Sequence, residues 1–236
     1  MYTRAKEFLL SSYESLDPPA DRPLVTLTYA QSLDCKIAIK GQQLLLSGKE
    51  SMAMTHRLRV LNDAILVGSG TANIDDPQLN ARHLPPDEIV QQPQPIVLDA
   101  RLETPLACKL IKNYQANTGK QPWILTSAKA DAQKKKALEQ AGAQVLCLEE
   151  DQHGRLAWSD VLQVLHQRKI CRLMVEGGSR IIQSCLTSGF VDALVVTVCP
   201  VYIGERGLGI VAETGVHVVK YEKFGQDMVL FGSLKQ

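Results

Sequence analysis

The spacing of hydrophobic and polar residues changes along the chain, and each spacing predicts a type of secondary structure. Residues 24–30 alternate in polarity and are rich in β-branched side chains, which is typical of a strand, and residues 35–39 predict a second, short strand. From Lys49 to Leu61 the apolar residues recur at helical spacing, which predicts a helix with one apolar face. The apolar run 64–68, closed by a glycine, is typical of a fully buried strand.

Strand and helix patterns then alternate through the second half of the chain. The predicted strands are 96–99, 123–125, 144–148 and 173–175. The predicted helices are Ala130–Ala141, Ser159–Arg168 with Ser159 as its N-cap, and a third that follows Gly178 and ends at Gly189. Two more strands, 194–201 and 228–231, follow without a helix pattern between them. We therefore expect an α/β protein with a mostly parallel sheet, helices on both faces and an antiparallel C-terminal edge.

The same pattern predicts one domain preceded by a short arm. Residues 1–22 end in a proline-rich stretch and predict an N-terminal arm, with a short helix over residues 8–10, that docks on the body of the protein. Residues 23–236 predict a single domain, because they contain no internal repeat, no low-complexity tract and no change of composition that marks a boundary.

Charge and hydropathy exclude several classes of protein. The 236 residues include 26 Lys and Arg against 25 Asp and Glu, which gives a formal net charge of +1. This balance argues against a surface built to bind nucleic acid or an anionic membrane. No apolar run reaches the roughly 18–20 residues of a membrane-spanning helix, and the N-terminus does not have the pattern of a secretory signal. We expect a cytoplasmic protein with neither kind of partner.

The cysteines and histidines predict no metal site. None of the six cysteines forms a Cys-x-x-Cys pair, and most lie within apolar stretches, so we expect reduced, buried thiols. The five histidines are spread along the chain, and the sequence predicts no cluster among them: His56, His83, His153, His166 and His217.

Two glycine-rich segments follow predicted buried strands. Residues 68–71 read Gly-Ser-Gly-Thr, but Asn73 takes the place of the third glycine of a dinucleotide-binding fingerprint, so a tight turn explains them equally well. Residues 176–179 read Glu-Gly-Gly-Ser and open a predicted helix, whose free N–H groups and dipole favour a phosphate. The alternatives here are glycines that give helices room to pack and a solvated Glu176.

Two arginines could hold a second anion. Arg59 lies off the apolar stripe of its predicted helix, and Arg82 follows the segment Asp-Pro-Gln-Leu-Asn-Ala. Arginine binds phosphate through paired, charge-assisted hydrogen bonds. Either residue taken alone is more often an ordinary solvated surface position.

Taken together, these segments have a family resemblance. Four of them are Thr-Leu-Thr-Tyr-Ala-Gln-Ser-Leu-Asp at 26–34, Asp-Ala-Ile-Leu-Val-Gly-Ser-Gly-Thr at 63–71, Asp-Asp-Pro-Gln-Leu-Asn-Ala-Arg at 75–82 and Val-Glu-Gly-Gly at 175–178. In them, and at Leu58-Arg59, the chain resembles the riboflavin-pathway pyrimidine reductases, and residues 26–34 are most similar to the stand-alone fungal and archaeal type. The zinc deaminase motifs of the fused bacterial relatives are absent.

The resemblance implies a fold and a reaction. It implies a dihydrofolate-reductase-like, three-layer α/β/α fold, a homodimer, and NADPH as the hydride donor. The implied substrate is 2,5-diamino-6-ribosylamino-4(3H)-pyrimidinone 5′-phosphate, whose ribosyl side chain is reduced to the ribityl chain. The implied route delivers hydride to C1′ of the imine that forms when the ribose opens.

The resemblance also implies roles for individual residues. The implied cofactor contacts are Ala30, Gly68, Gly70, Thr71, Asp75, Gly177, Gly178, Ser179 and Arg180, with Leu45 as a weaker match. The implied substrate contacts are Gln43, Arg59, Leu79, Arg82 and Glu176. Cys35 replaces a glycine that bacterial relatives often carry, and residues 43–47 also differ from theirs, so the surroundings of the nicotinamide stay open.

Two questions of chemistry stay open in the sequence. An imine accepts hydride well when it is protonated, and Asp34 and Glu176 are the candidate catalytic acids, with water or the substrate as the alternative proton source. Thr126, Ser127 and Lys129 follow a predicted strand and could bind the 2′-phosphate of NADPH. The competing functions are reduction of a folate or pterin on the same fold, a nucleotide-binding sensor without catalysis, and a structural dimerisation module.

Overall fold

The computed structural model describes residues 2–13, 15–85 and 87–235. The helices are α1 Tyr2–Tyr13, α2 Lys49–Val60, α3 Ser69–Asp75, α4 Lys109–Gln115, α5 Ala132–Ala141, α6 Trp158–Gln167 and α7 Ser179–Leu186. The strands are β1 Leu24–Ser32, β2 Lys36–Ile39, β3 Ala64–Gly68, β4 Gln94–Leu98, β5 Trp123–Ser127, β6 Gln144–Leu148, β7 Arg172–Glu176, β8 Ala193–Cys199, β9 Gly207–Gly209, β10 Val216–Phe224 and β11 Asp227–Leu234.

Nine strands form one sheet in the order β10-β11-β8-β1-β7-β3-β4-β5-β6. From β8 to β6 all neighbours are parallel, whereas β11 pairs antiparallel with β8 and β10 antiparallel with β11. The remaining strands, β2 and β9, form a separate two-stranded ribbon. The prediction of a mostly parallel sheet with an antiparallel C-terminal edge is confirmed.

Each face of the sheet carries its own apolar core. Along β3, Ile65 and Val67 pack into one core and Ala64 and Leu66 into the other, as the period of two of a strand requires. The first core includes residues of α1, α2, α4 and α5, and the second includes residues of α6 and α7. This is the three-layer α/β/α arrangement that the sequence predicts.

The N-terminal arm contains a longer helix than the sequence pattern predicts. All of residues 2–13 are helical, not residues 8–10 alone, and Phe8, Leu9 and Tyr13 are buried in the first core. The Tyr13 hydroxyl lies 2.7 Å from Oγ1 of Thr26 and donates to Oδ1 of Asn62 at 2.8 Å, and burial raises the pKa of this phenol. The arm is therefore fixed to β1 and α2 by packing and by buried hydrogen bonds.

Several local predictions are wrong for identifiable reasons. Helix α5 begins at Ala132, not Ala130, because the Asp131 carboxylate caps it by accepting hydrogen bonds from two backbone N–H groups. Ser159 is not an N-cap, since α6 begins at Trp158 and the Ser159 hydroxyl donates to Asp160. The sequence pattern also fails to predict α3, α4 and β10. Strand β10 is exposed along most of its length and so lacks a buried alternating face.

The cysteines only partly match the prediction of buried thiols. All six are free, but Cys35, Cys147 and Cys171 are exposed, and only the other three are buried. Cys147 lies on the edge strand β6, where a residue within an apolar run can still face solvent. Within the described residues no helix combines the length and the apolar character needed to cross a membrane.

Candidate active site

The candidate residues converge at the carboxyl ends of β1, β7 and β3. The three strands are neighbours, with Thr28 opposite Glu176 and Leu66 opposite Val175. This register places Ala30, Glu176 and Gly68 at one edge of the sheet, where α3 and α7 begin. In open parallel sheets this edge is the usual place for a ligand.

One half of the site consists mainly of main chain. Gly177 and Gly178 have φ values of +75° and +63°, a left-handed conformation that glycine adopts without strain. A Cβ on Gly177 would lie 2.8 Å from Cγ2 of Thr71, and one on Gly178 would lie 3.0 Å from its Oγ1. The glycines therefore let the first turns of α3 and α7 pack side by side. This is one of the alternatives that the sequence left open, namely glycines that give helices room to pack.

The same half also leaves room for a ligand. A Cβ on Gly70 would meet no atom within 4 Å, so nothing in the described protein requires a glycine there. Ser179 is partly exposed at the first position of α7, where backbone N–H groups have no partner within the helix. Asp75 is half-buried at the end of α3, and burial raises its pKa. Two helix N-termini beside open space fit the phosphates of a dinucleotide.

The second half of the site consists of side chains, and a buried ion pair lies at its centre. Nη2 of Arg59 lies 2.8 Å from Oε1 and 3.1 Å from Oε2 of Glu176, and Nη1 donates to the backbone oxygen of Asn80 at 2.9 Å. Both charged side chains are largely buried. Glu176 is therefore not a solvated charge. Both terminal nitrogens of Arg59 already have partners within the protein, and its contact with the substrate stays a prediction.

Arg82 is the exposed cation beside this pair. Its Nη1 donates to Oδ1 of Asn80 at 2.5 Å, and among the described residues no carboxylate lies within ion-pair distance. Burial and the nearby Arg59 lower the pKa of Arg82, and Glu176 opposes them. The structure thus brings Arg59, Arg82 and Glu176 together and leaves Arg82 available to an external anion.

Two histidines join this cluster, contrary to the sequence prediction. The rings of His56 and His83 meet edge to face with their centroids 4.6 Å apart, and Nδ1 of His56 accepts a hydrogen bond from the backbone N–H of Arg82 at 3.0 Å. Burial, with Arg59, Arg82 and His83 nearby, lowers the pKa of His56 to about 2. The sequence does contain one signal for the role of His56. It lies three residues before Arg59, and residues at this spacing share a helix face.

The structure argues against Asp34 as a catalytic acid. Its carboxylate accepts hydrogen bonds from the Ser32 hydroxyl and from the backbone N–H groups of Ile203 and Gly204. These contacts, that of Ser32 above all, lower the pKa of Asp34 to about 2. At neutral pH the group is ionised and has no proton to donate, and its role is to join the β1–β2 turn to the segment before β9.

Other predicted contacts are less accessible than the sequence suggests. Leu79 as a whole residue is only 2% exposed, so it offers a substrate almost no surface in this conformation. Thr126 and Ser127 are buried, and Nζ of Lys129 is 3.0 Å from Glu150, so these three do not form a free phosphate site. Gln43 and Leu45 are exposed on the segment between β2 and α2. The described residues contain no group of three or more His, Cys, Asp or Glu that could hold a metal ion.

Comparison with known proteins identifies the family of the chain. The family model of the RibD C-terminal domain matches residues 23–230. The 2,5-diamino-6-ribosylamino-4(3H)-pyrimidinone 5′-phosphate reductase of Candida glabrata is 36% identical over 197 residues, which are 79% of this chain and 78% of that protein.

Solved structures show the same fold. The riboflavin biosynthesis reductase Rib7 of Saccharomyces cerevisiae superimposes with a TM-score of 0.76 at 27% identity, over 97% of this chain and 98% of that one. Acinetobacter baumannii RibD superimposes with a TM-score of 0.78 at 23% identity, and the match covers 92% of this chain but 59% of the RibD chain. The fold and these matches agree, and the chain belongs to the RibD C-terminal domain family.

Proposed function

We propose that the protein is the NADPH-dependent reductase of 2,5-diamino-6-ribosylamino-4(3H)-pyrimidinone 5′-phosphate in riboflavin biosynthesis, acting in the cytoplasm. The relatives that carry this name and cover most of the chain support the proposal. The observation that carries it is the pairing of two anion-binding features on one sheet edge. The glycine-lined starts of α3 and α7 suit a dinucleotide, and the exposed Arg82 beside Glu176 suits a phosphorylated base.

The main-chain half would hold the cofactor. Backbone N–H groups at Gly177, Gly178 and Ser179 would bind its phosphates, and the open space at Gly70 gives the cofactor room beside Thr71. Ala30, Gly68, Asp75 and Arg180 complete the proposed cofactor surface. When bound, the cofactor supplies the hydride that reduces the ribosyl carbon.

The side-chain half would hold the substrate. Arg82 binds the 5′-phosphate by charge-assisted hydrogen bonds, and Glu176 accepts hydrogen bonds from the amino groups of the pyrimidine. Arg59 orients Glu176 through their ion pair. Since Asp34 is ionised and Glu176 is paired, the proton for the imine nitrogen comes from water or the substrate. The rate enhancement then rests mainly on positioning C1′ against the hydride donor.

We propose a homodimer that joins along the outer edge of the sheet. Strand β10 has one unpaired edge and exposes Val216, Val218, Val219 and Tyr221. Four of the nine residues of β10 are thus apolar and exposed, and a second copy of the chain would cover them.

The test is a turnover assay that follows the nicotinamide absorbance with NADPH and the ribosylamino substrate. We expect oxidation of NADPH with this substrate and none with dihydrofolate. Oxidation with dihydrofolate alone would favour the folate reading, and cofactor binding without turnover of either would favour a sensor.

One variant ties the assay to the site. Gly70→Ala places a methyl group in the open space, so the free energy of unfolding should stay equal or rise by about 0.5–1 kcal/mol, as for an alanine that replaces a helical glycine. The KM for NADPH should rise at the same time. An unchanged KM for NADPH would mean that the cofactor does not use this space.

A further inference from the structure

The backbone just before Arg82 is held by side chains from elsewhere in the fold. Oε1 of Gln92 accepts the N–H of Ala81 at 2.7 Å, and Nε2 of Gln92 donates to the oxygen of Ala81 at 3.1 Å. Nδ1 of His56 accepts the N–H of Arg82 at 3.0 Å. One glutamine and one histidine thus bind three consecutive polar groups of the main chain.

A third side chain extends this set by one position. The backbone oxygen of Asn80 accepts Nη1 of Arg59, whose Nη2 binds Glu176. The segment from Asn80 to Arg82 contains no helix or strand, and Leu79 before it has a φ of +48°. These backbone groups have no partners in a helix or a strand ladder, so the conformation of the segment depends on the side-chain contacts.

His56 is suited to this task by its surroundings. It is 1% exposed on α2, and its ring meets His83, the residue that follows Arg82. An imidazole can accept at Nδ1 only when that nitrogen carries no proton. A buried ring beside Arg59 and Arg82 is kept neutral at physiological pH, and the Arg82 N–H directed at Nδ1 selects the tautomer in which that nitrogen accepts.

We propose that His56 and Gln92 are positioning residues for substrate binding, which hold the backbone of residues 81–82 so that the Arg82 guanidinium stays beside Glu176. The inference rests on the proposed function, in which Arg82 binds the 5′-phosphate. It adds two residues that touch neither ligand and act through Arg82.

The test compares kinetic constants of single and double variants. His56→Ala and Gln92→Ala should each raise the KM for the ribosylamino substrate roughly tenfold, about the effect of losing one hydrogen bond between Arg82 and the phosphate. The KM for NADPH should stay unchanged within about twofold. His56→Asn keeps an acceptor oxygen near the position of Nδ1 and should restore most of the substrate KM. Gln94→Ala is the matched control, because Gln94 binds the backbone of Gln121 and not residues 80–82.

A double-mutant cycle separates positioning from general stability. In an Arg82→Ala background, His56→Ala and Gln92→Ala should have no further effect on the substrate KM, because the group they position is gone. Thermal unfolding of each variant shows whether it is folded. Where an alanine variant does not fold, His56→Leu and Gln92→Met fill more of the space and still lack the hydrogen bonds to residues 81–82, so they keep the test usable.

Each outcome has one meaning. Equal substrate KM values for His56→Ala, Gln92→Ala and the unmodified protein, or full additivity with Arg82→Ala, would overturn the inference and leave the proposed function intact. If Arg82→Ala itself leaves the substrate KM unchanged, the proposed phosphate contact fails, and with it the reason for positioning Arg82.

Discussion

The two halves of the site are held in place by different kinds of contact. At the starts of α3 and α7 the geometry comes from glycines whose missing Cβ atoms let the helices approach Thr71 and Ile181. At Arg82 it comes from side chains of α2 and of the loop before β4, which reach across to bind main-chain groups. The first half is fixed by shape and the second by a chain of charged and polar partners.

This difference has consequences for how each half can fail. A main-chain site tolerates changes of side chain but not an added Cβ, since backbone cannot move aside without shifting a whole helix. A side-chain site depends on each partner, since a buried charge or acceptor that loses its partner keeps its full desolvation cost. Substitutions in the two halves should therefore differ both in size and in what they change.

The largest effect on cofactor binding is expected at Gly177. Gly177→Ala introduces a Cβ 2.8 Å from Thr71 at a φ of +75°, so it combines a clash with backbone strain. Strain and overpacking cost about 1–3 kcal/mol each, and the turn relieves them by moving. Because this movement displaces the backbone N–H groups proposed to bind the phosphates, we expect NADPH binding to weaken by roughly 100-fold. Fluorescence titration of the reduced nicotinamide measures this.

The matched control for Gly177 is Gly154→Ala. Gly154 has a similar φ of +69°, but a Cβ there would meet nothing within 4 Å. It therefore shows the strain without the clash and lies outside the site. Equal NADPH affinity in Gly177→Ala and Gly154→Ala would mean that the contact between α3 and α7 does not shape the cofactor site.

The second effect concerns the Arg59–Glu176 pair. Glu176→Gln leaves a largely buried guanidinium without its counter-ion, and breaking such a pair costs about 3–5 kcal/mol of stability. We expect urea denaturation to show this loss together with a raised substrate KM. The double variant Arg59→Met/Glu176→Leu should recover most of the stability but not the activity. A single variant as stable as the unmodified protein would show that the pair is not desolvated.

The sequence predicts the main-chain half better than the side-chain half. A glycine after a buried strand is a local signal, and Gly68, Gly177 and Gly178 do lie where helices begin. The same signal does not reveal that residues 69–75 form a helix, because Gly70 weakens the helical pattern. The local sequence therefore predicts where the main-chain half of the site lies but does not predict helix α3.

The side-chain half depends on contacts that are distant in sequence. Arg59 meets Glu176 across 117 positions, and His56 meets Arg82 across 26. Single-sequence patterns contain no information about which charges pair over such distances, so the sequence does not predict the Arg59–Glu176 pair and predicts His56 as isolated. The partners of Asp34 are not predicted for the same reason, since Ile203 and Gly204 belong to a remote loop.

The smallest effect is a difference in acid sensitivity, and it bears on the side-chain half alone. Burial and the surrounding Arg59, Arg82 and His83 lower the pKa of His56 from 6.5 to about 2 in the folded protein. Between these values the unfolded chain binds a proton that the folded protein does not, so stability falls as the pH is lowered below about 6.5. The slope from this one group is at most about 1.4 kcal/mol per pH unit.

Replacing His56 should remove that slope. His56→Asn has no titrating ring. Between about pH 7 and pH 5 its free energy of unfolding should therefore change less than that of the unmodified protein. His217→Asn, at an exposed position on β10, is the matched control. Urea denaturation at each pH gives the comparison. An identical pH dependence in His56→Asn and the unmodified protein would mean that His56 takes up its proton in the folded state, and Nδ1 would then be free to donate instead of holding Arg82.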